Sequence, residues 1–454
     1  MRKFLTIFLV ITFISVTINA HVIAKPTFPK QMSDLEPKYT LTPPVVATTY
    51  NSISRYDPFT DHLALFSATS LIKQTDPRLS WLPALPDLEI NLSKNRPTPG
   101  IYTVSWGKSR QNVAIAVIGS KPTEQKSKVL VLVPDYTWSA YNRTGGGSFY
   151  SGKPYPAHSA ESLDRPLNAI HEVPVHDPAK NPIKLLSKWA GGAVDVAAQS
   201  DVVDLKYRIS KYSVIVLYGH DEYWTPELRL TIENAVLKGS NLLNLSGNTG
   251  YRDISVHNRA ISVVESGSEN EINRLGWRML NLARVVYAGK PTSNFLIGQS
   301  NISMRKILKA ANKRGFPESK ELSLHPKNAI LKFQRLLVLT KNDSLFAGVS
   351  KDKNGFVTGG TAALVQGEID GVPMTEKWKI IQPFPRYIKS GNVQVVAGSW
   401  QGPKIKPVGI VIRSTFGRGK VITIGSISWV SAMVAKDISA LQITKNALTE
   451  LLGK

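Results

Sequence analysis

Apolar and polar positions follow two different patterns along this chain. From Lys128 onward, Val129-Leu130-Val131-Leu132-Val133 is apolar at every position, without the alternation of a half-solvated strand. A strand of that kind belongs in a parallel sheet covered on both faces. Val194-Asp195-Val196-Ala197 and residues 212–217 and 241–245 predict further strands, and residues 183–190 and 225–239 predict helices between them. The second helix carries its own punctuation, with Thr225 as N-cap, Pro226 at the first helical position, Glu227 in the first turn and Gly239 at its end. Strand, helix and strand joined by short links predict a doubly wound α/β domain. A long polar, glycine-rich loop is expected directly after Val133. The rhythm lapses between about 255 and 390, then returns with strands at 393–397, 409–413 and 421–424 and a closing helix at 439–452.

Residues 25–126 are Pro-rich and irregular, ending in two predicted strands, 101–106 and 113–118, around the turn-like Gly107-Lys108-Ser109. The expected organisation is therefore a small, partly β module over 25–126, an α/β core over 127–254 and 391–454, and an inserted α+β lobe over 255–390. Ahead of these, Met1-Arg2-Lys3, an apolar run over 4–18 and the small-residue site Val22-Ile23-Ala24 predict a cleavable signal peptide over 1–24. A secreted or periplasmic location follows. No later stretch reaches the roughly 18 apolar residues of a membrane span.

Composition narrows the chemistry. A chain of 454 residues exceeds one ordinary core, and 42% hydrophobic with 20% charged residues is a folded composition. The absence of cysteine excludes disulfides, zinc–thiolate sites, iron–sulfur clusters and cysteine nucleophiles. Lys and Arg number 56 against 33 Asp and Glu, a net charge of +23, or 23 − 2 = +21 once Arg2 and Lys3 leave with the signal. The densest stretch, 305–335, holds nine Lys/Arg and two acidic residues. It reads as a patch for an anionic envelope or polysaccharide, or as a solvated helical face. No nucleic-acid motif or aromatic stacking array accompanies it, so nucleic acid is not the expected partner.

Two clusters sit where predicted strands end, which is where open α/β sheets bind ligands. One is His220-Asp221-Glu222-Tyr223-Trp224. If that segment is extended, His220 and Glu222 point to the same side. Three ionisable groups there fit a metal, a substrate or a helix-capping carboxylate network. The other runs from Thr137-Trp138-Ser139-Ala140-Tyr141-Asn142 through Gly145-Gly146-Gly147. Gly147 to Lys153 has phosphate-loop spacing, but Pro154 stands where Ser or Thr would bind magnesium. Neither a Gly-x-Ser-x-Gly elbow nor a His-Glu-x-x-His pair occurs.

Taken together, Pro99-Gly100-Ile101-Tyr102, the Thr137 to Asn142 block, Gly219-His220-Asp221-Glu222-Tyr223-Trp224 and Ser246-Gly247-Asn248-Thr249 make a pattern. With Gly367-Glu368-Ile369-Asp370 and Gly417-Arg418-Gly419-Lys420-Val421 downstream, the chain resembles the C-terminal domain family of the N,N-dimethylformamidase large (beta) subunit over roughly residues 95–454. That resemblance implies a glutamine-amidotransferase-like α/β core and hydrolysis of a small linear amide. It also implies one mononuclear non-haem iron held by Tyr102, Tyr141 and Glu222, with His220 and Glu368 handling protons or orienting substrate. Asn248 is a candidate for holding the oxyanion. Two phenolates and a carboxylate are hard donors that suit ferric iron. Gly250-Tyr251-Arg252 stands where the family places Cys-Tyr-Trp, so the implied pocket wall differs. A non-catalytic envelope or glycan-binding protein on the same scaffold is the competing reading, and a homo-oligomer is compatible with either. A metal-independent hydrolase using His220 and Asp221 has no nucleophile to name.

Overall fold

In a computed structural model of the protein the described residues are 39–42, 51–67, 71–72, 82–83, 85–144, 147–152, 156–157, 160–167, 182–250, 252–264, 336–360, 364–365, 370–380, 393–401 and 406–454. The signal segment, the basic stretch 305–335, Lys153, Pro154, Tyr251 and Glu368 lie outside them.

The chain opens with β1 (Thr40–Thr42), β2 (Ile53–Asp57), β3 (His62–Phe66), β4 (Leu71–Ile72), β5 (Leu82–Pro83), β6 (Leu88–Asn91), β7 (Gly100–Trp106) and β8 (Asn112–Ile118). Antiparallel pairing groups them as β2-β3-β6, β1-β7-β8 and the short ribbon β4-β5. Leu63, Leu65, Ile90, Val104, Trp106 and Ile118 meet in one buried cluster between the first two groups.

Then come β9 (Val129–Val133), α1 (Asp135–Tyr141), β10 (Glu161–Ser162), α2 (Pro182–Ala190), β11 (Asp195–Ala198), α3 (Gln199–Asp204), β12 (Val214–His220), β13 (Tyr223–Trp224), α4 (Pro226–Leu237) and β14 (Asn241–Gly247). They are followed by β15 (Arg252–His257), β16 (Ala260–Val263), β17 (Leu337–Val338), β18 (Val372–Pro373), β19 (Val393–Gln401), β20 (Lys406–Phe416), β21 (Gly419–Ile424), α5 (Ser428–Val434) and α6 (Ile438–Leu452).

One mixed sheet organises the molecule, in the order β11-β9-β12-β14-β21-β20-β19-β17, with β18 paired to β20. The first five strands are parallel; β20, β19 and β17 continue antiparallel. The unbroken apolar run of β9 now has its cause. Val129, Val131 and Val133 pack with α2, α5 and α6 on one face, while Leu130 and Leu132 pack with α1, α3 and α4 on the other. Both faces are dry, so neither set of alternate positions can be polar.

One expectation changes. The segment after β9 is not a loop from the start: α1 forms at once, with Asp135 in its first turn and Tyr136, Trp138 and Ala140 buried. An acidic group at the helix N-terminus and three apolar anchors outweigh the polar residues between them. Beyond residue 255, β16 completes a small sheet with β10, β15 and β13, while β17 and β18 join the main one. No helix among the described residues is long and apolar enough to cross a membrane.

Candidate active site

Three neighbouring parallel strands, β9, β12 and β14, deliver their carboxyl ends to one edge. β9 leads into α1, which ends at Tyr141. β12 ends at His220, opposite Gly247 of β14, and Asn248 follows. Gly219 turns the strand with φ +77, a left-handed conformation that glycine adopts without strain. The segment beyond is latched from several sides. Gly250 N donates to Asp221 O (2.7 Å), Arg252 N to Glu222 O (2.9 Å), and Tyr223 N to Thr137 Oγ1 of α1 (3.1 Å).

Within it the side chains alternate. Asp221 turns into the core, where its Oδ1 accepts from Gln199 Nε2 (2.8 Å) and Trp224 Nε1 (2.7 Å). Complete burial pushes its carboxyl up to about 7, against the pull of those two donors. His220 and Glu222 face the other way together, 3.5 Å apart from Nε2 to Oε2, and both are buried.

Glu222 is the point of convergence. Tyr141 Oη donates to its Oε2 (2.6 Å) and Tyr150 Oη to its Oε1 (2.8 Å). Tyr223 Oη donates in turn to Tyr150 Oη (2.8 Å), and Arg252 Nε lies 3.7 Å from Oε1. The Tyr141 and Tyr150 rings stack, with centroids 4.5 Å apart and planes 25° from parallel; His220 lies 5.0 Å from Tyr141. Tyr150 is 37% exposed, so the cluster reaches solvent on that side.

The structure thus brings together Tyr141, His220 and Glu222. Tyr102 lies on β7, its ring packs on the N-terminal apolar cluster, and its hydroxyl donates to Thr98 O (2.6 Å). Burial raises the pKa of that phenol. Asn248 is buried just past β14 with φ +57. Glu368 lies outside the described residues, but its neighbour Asp370 reaches this edge, where its Oδ2 accepts Thr249 N (3.0 Å).

Sequence reasoning passed over Tyr150 and treated Arg252 only as a departure. The one signal for Tyr150 is its place three residues after the glycine run. Iron, the metal implied by resemblance, needs hard donors, and two phenols with one carboxylate supply that chemistry. The groups whose hydrogen bonds meet are Tyr141, Tyr150 and Glu222. Among the described residues, no cluster of three or more His, Asp or Glu side chains offers a different site.

Among protein families, residues 73–440 match the model described as "N,N-dimethylformamidase beta subunit-like, C-terminal". That span takes in every candidate residue above. A search of curated proteins gives no match. Among solved structures the chain is similar to beta-galactosidase from Bacillus circulans sp. alkalophilus at 11% identity and a TM-score of 0.28. The match covers 72% of this chain and 31% of that one, too distant a likeness to carry an argument.

Proposed function

From a chain that belongs to the N,N-dimethylformamidase beta subunit-like C-terminal family, we propose an exported, iron-dependent hydrolase of amide C–N bonds in small linear amides. The observation that carries this reading is the Glu222 carboxylate, buried and met by Tyr141 and Tyr150 with His220 beside it. The family also supports a glutamine-amidotransferase-like core, in keeping with the parallel strands β11-β9-β12-β14-β21. Export rests on the N-terminal sequence alone.

Tyr141, Tyr150 and Glu222 would hold the metal. Bound there, iron supplies a Lewis acid for the amide carbonyl and lowers the pKa of water. The remaining work falls to the chain. His220 is the group to take a proton from the attacking water and return it to the departing amine nitrogen, so that amide and water become carboxylic acid and amine. Asn248 is the donor proposed for the oxyanion, and Glu368 the group that orients substrate. Asp221, anchored by Gln199 and Trp224, keeps His220 and Glu222 on one side.

One observation favours a second reading. Arg252 stands 3.7 Å from Glu222 Oε1 and offsets charge that a metal would otherwise balance. A metal-free envelope or glycan-binding protein would use the site in that way.

Amine release from a panel of small linear amides, compared between wild type and Glu222→Gln, separates the two. Loss of iron together with a fall in kcat/KM of about 100-fold or more is expected for the variant. A metal-free Glu222→Gln protein with full activity would refute the hydrolase mechanism.

A further inference from the structure

Arg165, just beyond β10, is fully buried, and so is Glu161, whose Oε2 lies 2.8 Å from its Nη1. The guanidinium spends its donors on backbone carbonyls. Nη2 donates to Ser139 O (2.9 Å), Nη1 to Thr144 O (2.9 Å) and Gly147 O (3.0 Å), and Nε to Ser162 O (3.2 Å). Three of those carbonyls belong to one stretch of chain. Ser139 is in the last turn of α1; Thr144 and Gly147 lie in the loop that follows. Tyr141 falls between the first two, and Tyr150 three residues after the last.

Burying a guanidinium is expensive unless every donor is matched and a counter-ion sits beside it. The burial here already lowers its pKa. The return on that cost is geometric. A planar, rigid fork fixes its acceptors relative to one another, which a flexible ammonium does not. With Ser139, Thr144 and Gly147 tied to one plane, the end of α1 and the segment that begins at Gly147 are fixed relative to one another. Those two pieces carry the two phenols that meet the two oxygens of one carboxylate.

We propose that Arg165 is the positioning residue of the Glu222 centre, setting the stacked Tyr141–Tyr150 pair across that carboxylate. The inference rests on Glu222 being the working centre of the proposed hydrolase, and deepens it. Removing a group that orients metal ligands from behind typically lowers metal affinity 10–100-fold.

The test titrates chelator-treated protein with ferric iron alone and reads the phenolate-to-iron absorption band, alongside thermal unfolding. Arg165→Lys keeps the charge and loses the fork. It is expected to unfold cooperatively yet bind iron about 10-fold or more weakly. Glu161→Gln is the control for destabilisation: it removes the counter-ion, leaves the carbonyl contacts and is expected to bind iron within about 3-fold of wild type, well short of the loss expected when an orienting group goes. If Arg165→Lys fails to fold, Glu161→Leu/Arg165→Met replaces the pair with apolar side chains, an exchange buried ion pairs often tolerate. The same loss of affinity is expected. Affinity near wild type in a folded Arg165 variant, or an equal loss in Glu161→Gln, would overturn the proposal. A second readout needs no metal: the near-ultraviolet circular dichroism that Tyr150→Leu removes should also vanish in Arg165→Lys, and its persistence refutes positioning. Wild type that binds no iron, or Glu222→Gln that binds it normally, would instead sink the hydrolase reading while the dichroism still decides the role of Arg165.

Discussion

Glu222 comes to lie among the phenols because of what its neighbours do on either side in the sequence. Asp221 is drawn into the core by Gln199 and Trp224, and that leaves His220 and Glu222 facing Tyr141 together. Burial of carboxyls recurs around this sheet, and desolvation has a measurable consequence even at the half-buried Asp201 on α3. Desolvation there, reinforced by Asp135 and opposed by Arg259, pushes its carboxyl up to about 7 from 3.8. Between those two values the folded state holds a proton that the unfolded state has lost, so this residue makes stability fall as pH rises from about 4 to about 7 and adds nothing further above. Asp201→Asn removes the dependence. In urea unfolding, the variant's advantage over wild type is expected to be larger at pH 8 than at pH 5; equal differences at both pH values would contradict it. His220 and Glu222 stood out in the sequence because they close a recognisably buried strand, whereas Tyr141, at the end of α1, was singled out by the family resemblance. Tyr150 did not stand out, since it follows Gly147, whose carbonyl is held by the distant Arg165, a contact no local pattern encodes. Tyr102, named by the resemblance, has its hydroxyl bonded to the carbonyl of Thr98 just ahead of β7.

At the scale of elements, the local signals were sufficient wherever burial was complete. β9, β12 and β14 declared themselves by apolar runs, and α4 by its cap. Thr225 Oγ1 accepts Leu228 N (3.1 Å), with Pro226 at the first helical position. Thr225→Ala leaves that buried amide without its acceptor and is expected to cost about 1 kcal/mol. The shift in urea midpoint measures it, with an unchanged denaturant slope if only the cap is lost. A midpoint equal to wild type would mean that α4 is held by packing alone. Strand ends were less legible than strands. β20 runs over Lys406–Phe416 against the five residues expected, because its antiparallel partners β19 and β21 extend the ladder beyond the apolar run. α1 escaped notice because its polar residues mask the buried Tyr136, Trp138 and Ala140. β17 and β18 are short, and their place in the main sheet is fixed by pairing partners far along the chain, which no local pattern encodes.

For the whole molecule, topology assembles the site. Parallel neighbours place the ends of β9, β12 and β14 side by side, so Tyr141 meets the His220–Glu222 pair although the sequence separates them widely, and Asn248 lies one residue past Gly247, the register partner of His220. Asp370 is brought to the same edge, where its carboxylate accepts Thr249 N. The family match over residues 73–440 embraces all of these pieces. Two charge balances compete over that edge: Glu222 with its phenols can serve a metal, or Arg252 can offset the carboxylate without one. The most direct test is metal analysis with a visible spectrum on protein purified without added metal or chelator. About one iron per chain with a tyrosinate-to-iron charge-transfer band is the predicted result, as expected of hard phenolate and carboxylate donors. A protein without iron, and without that band after reconstitution with ferric or ferrous salt, would contradict the account.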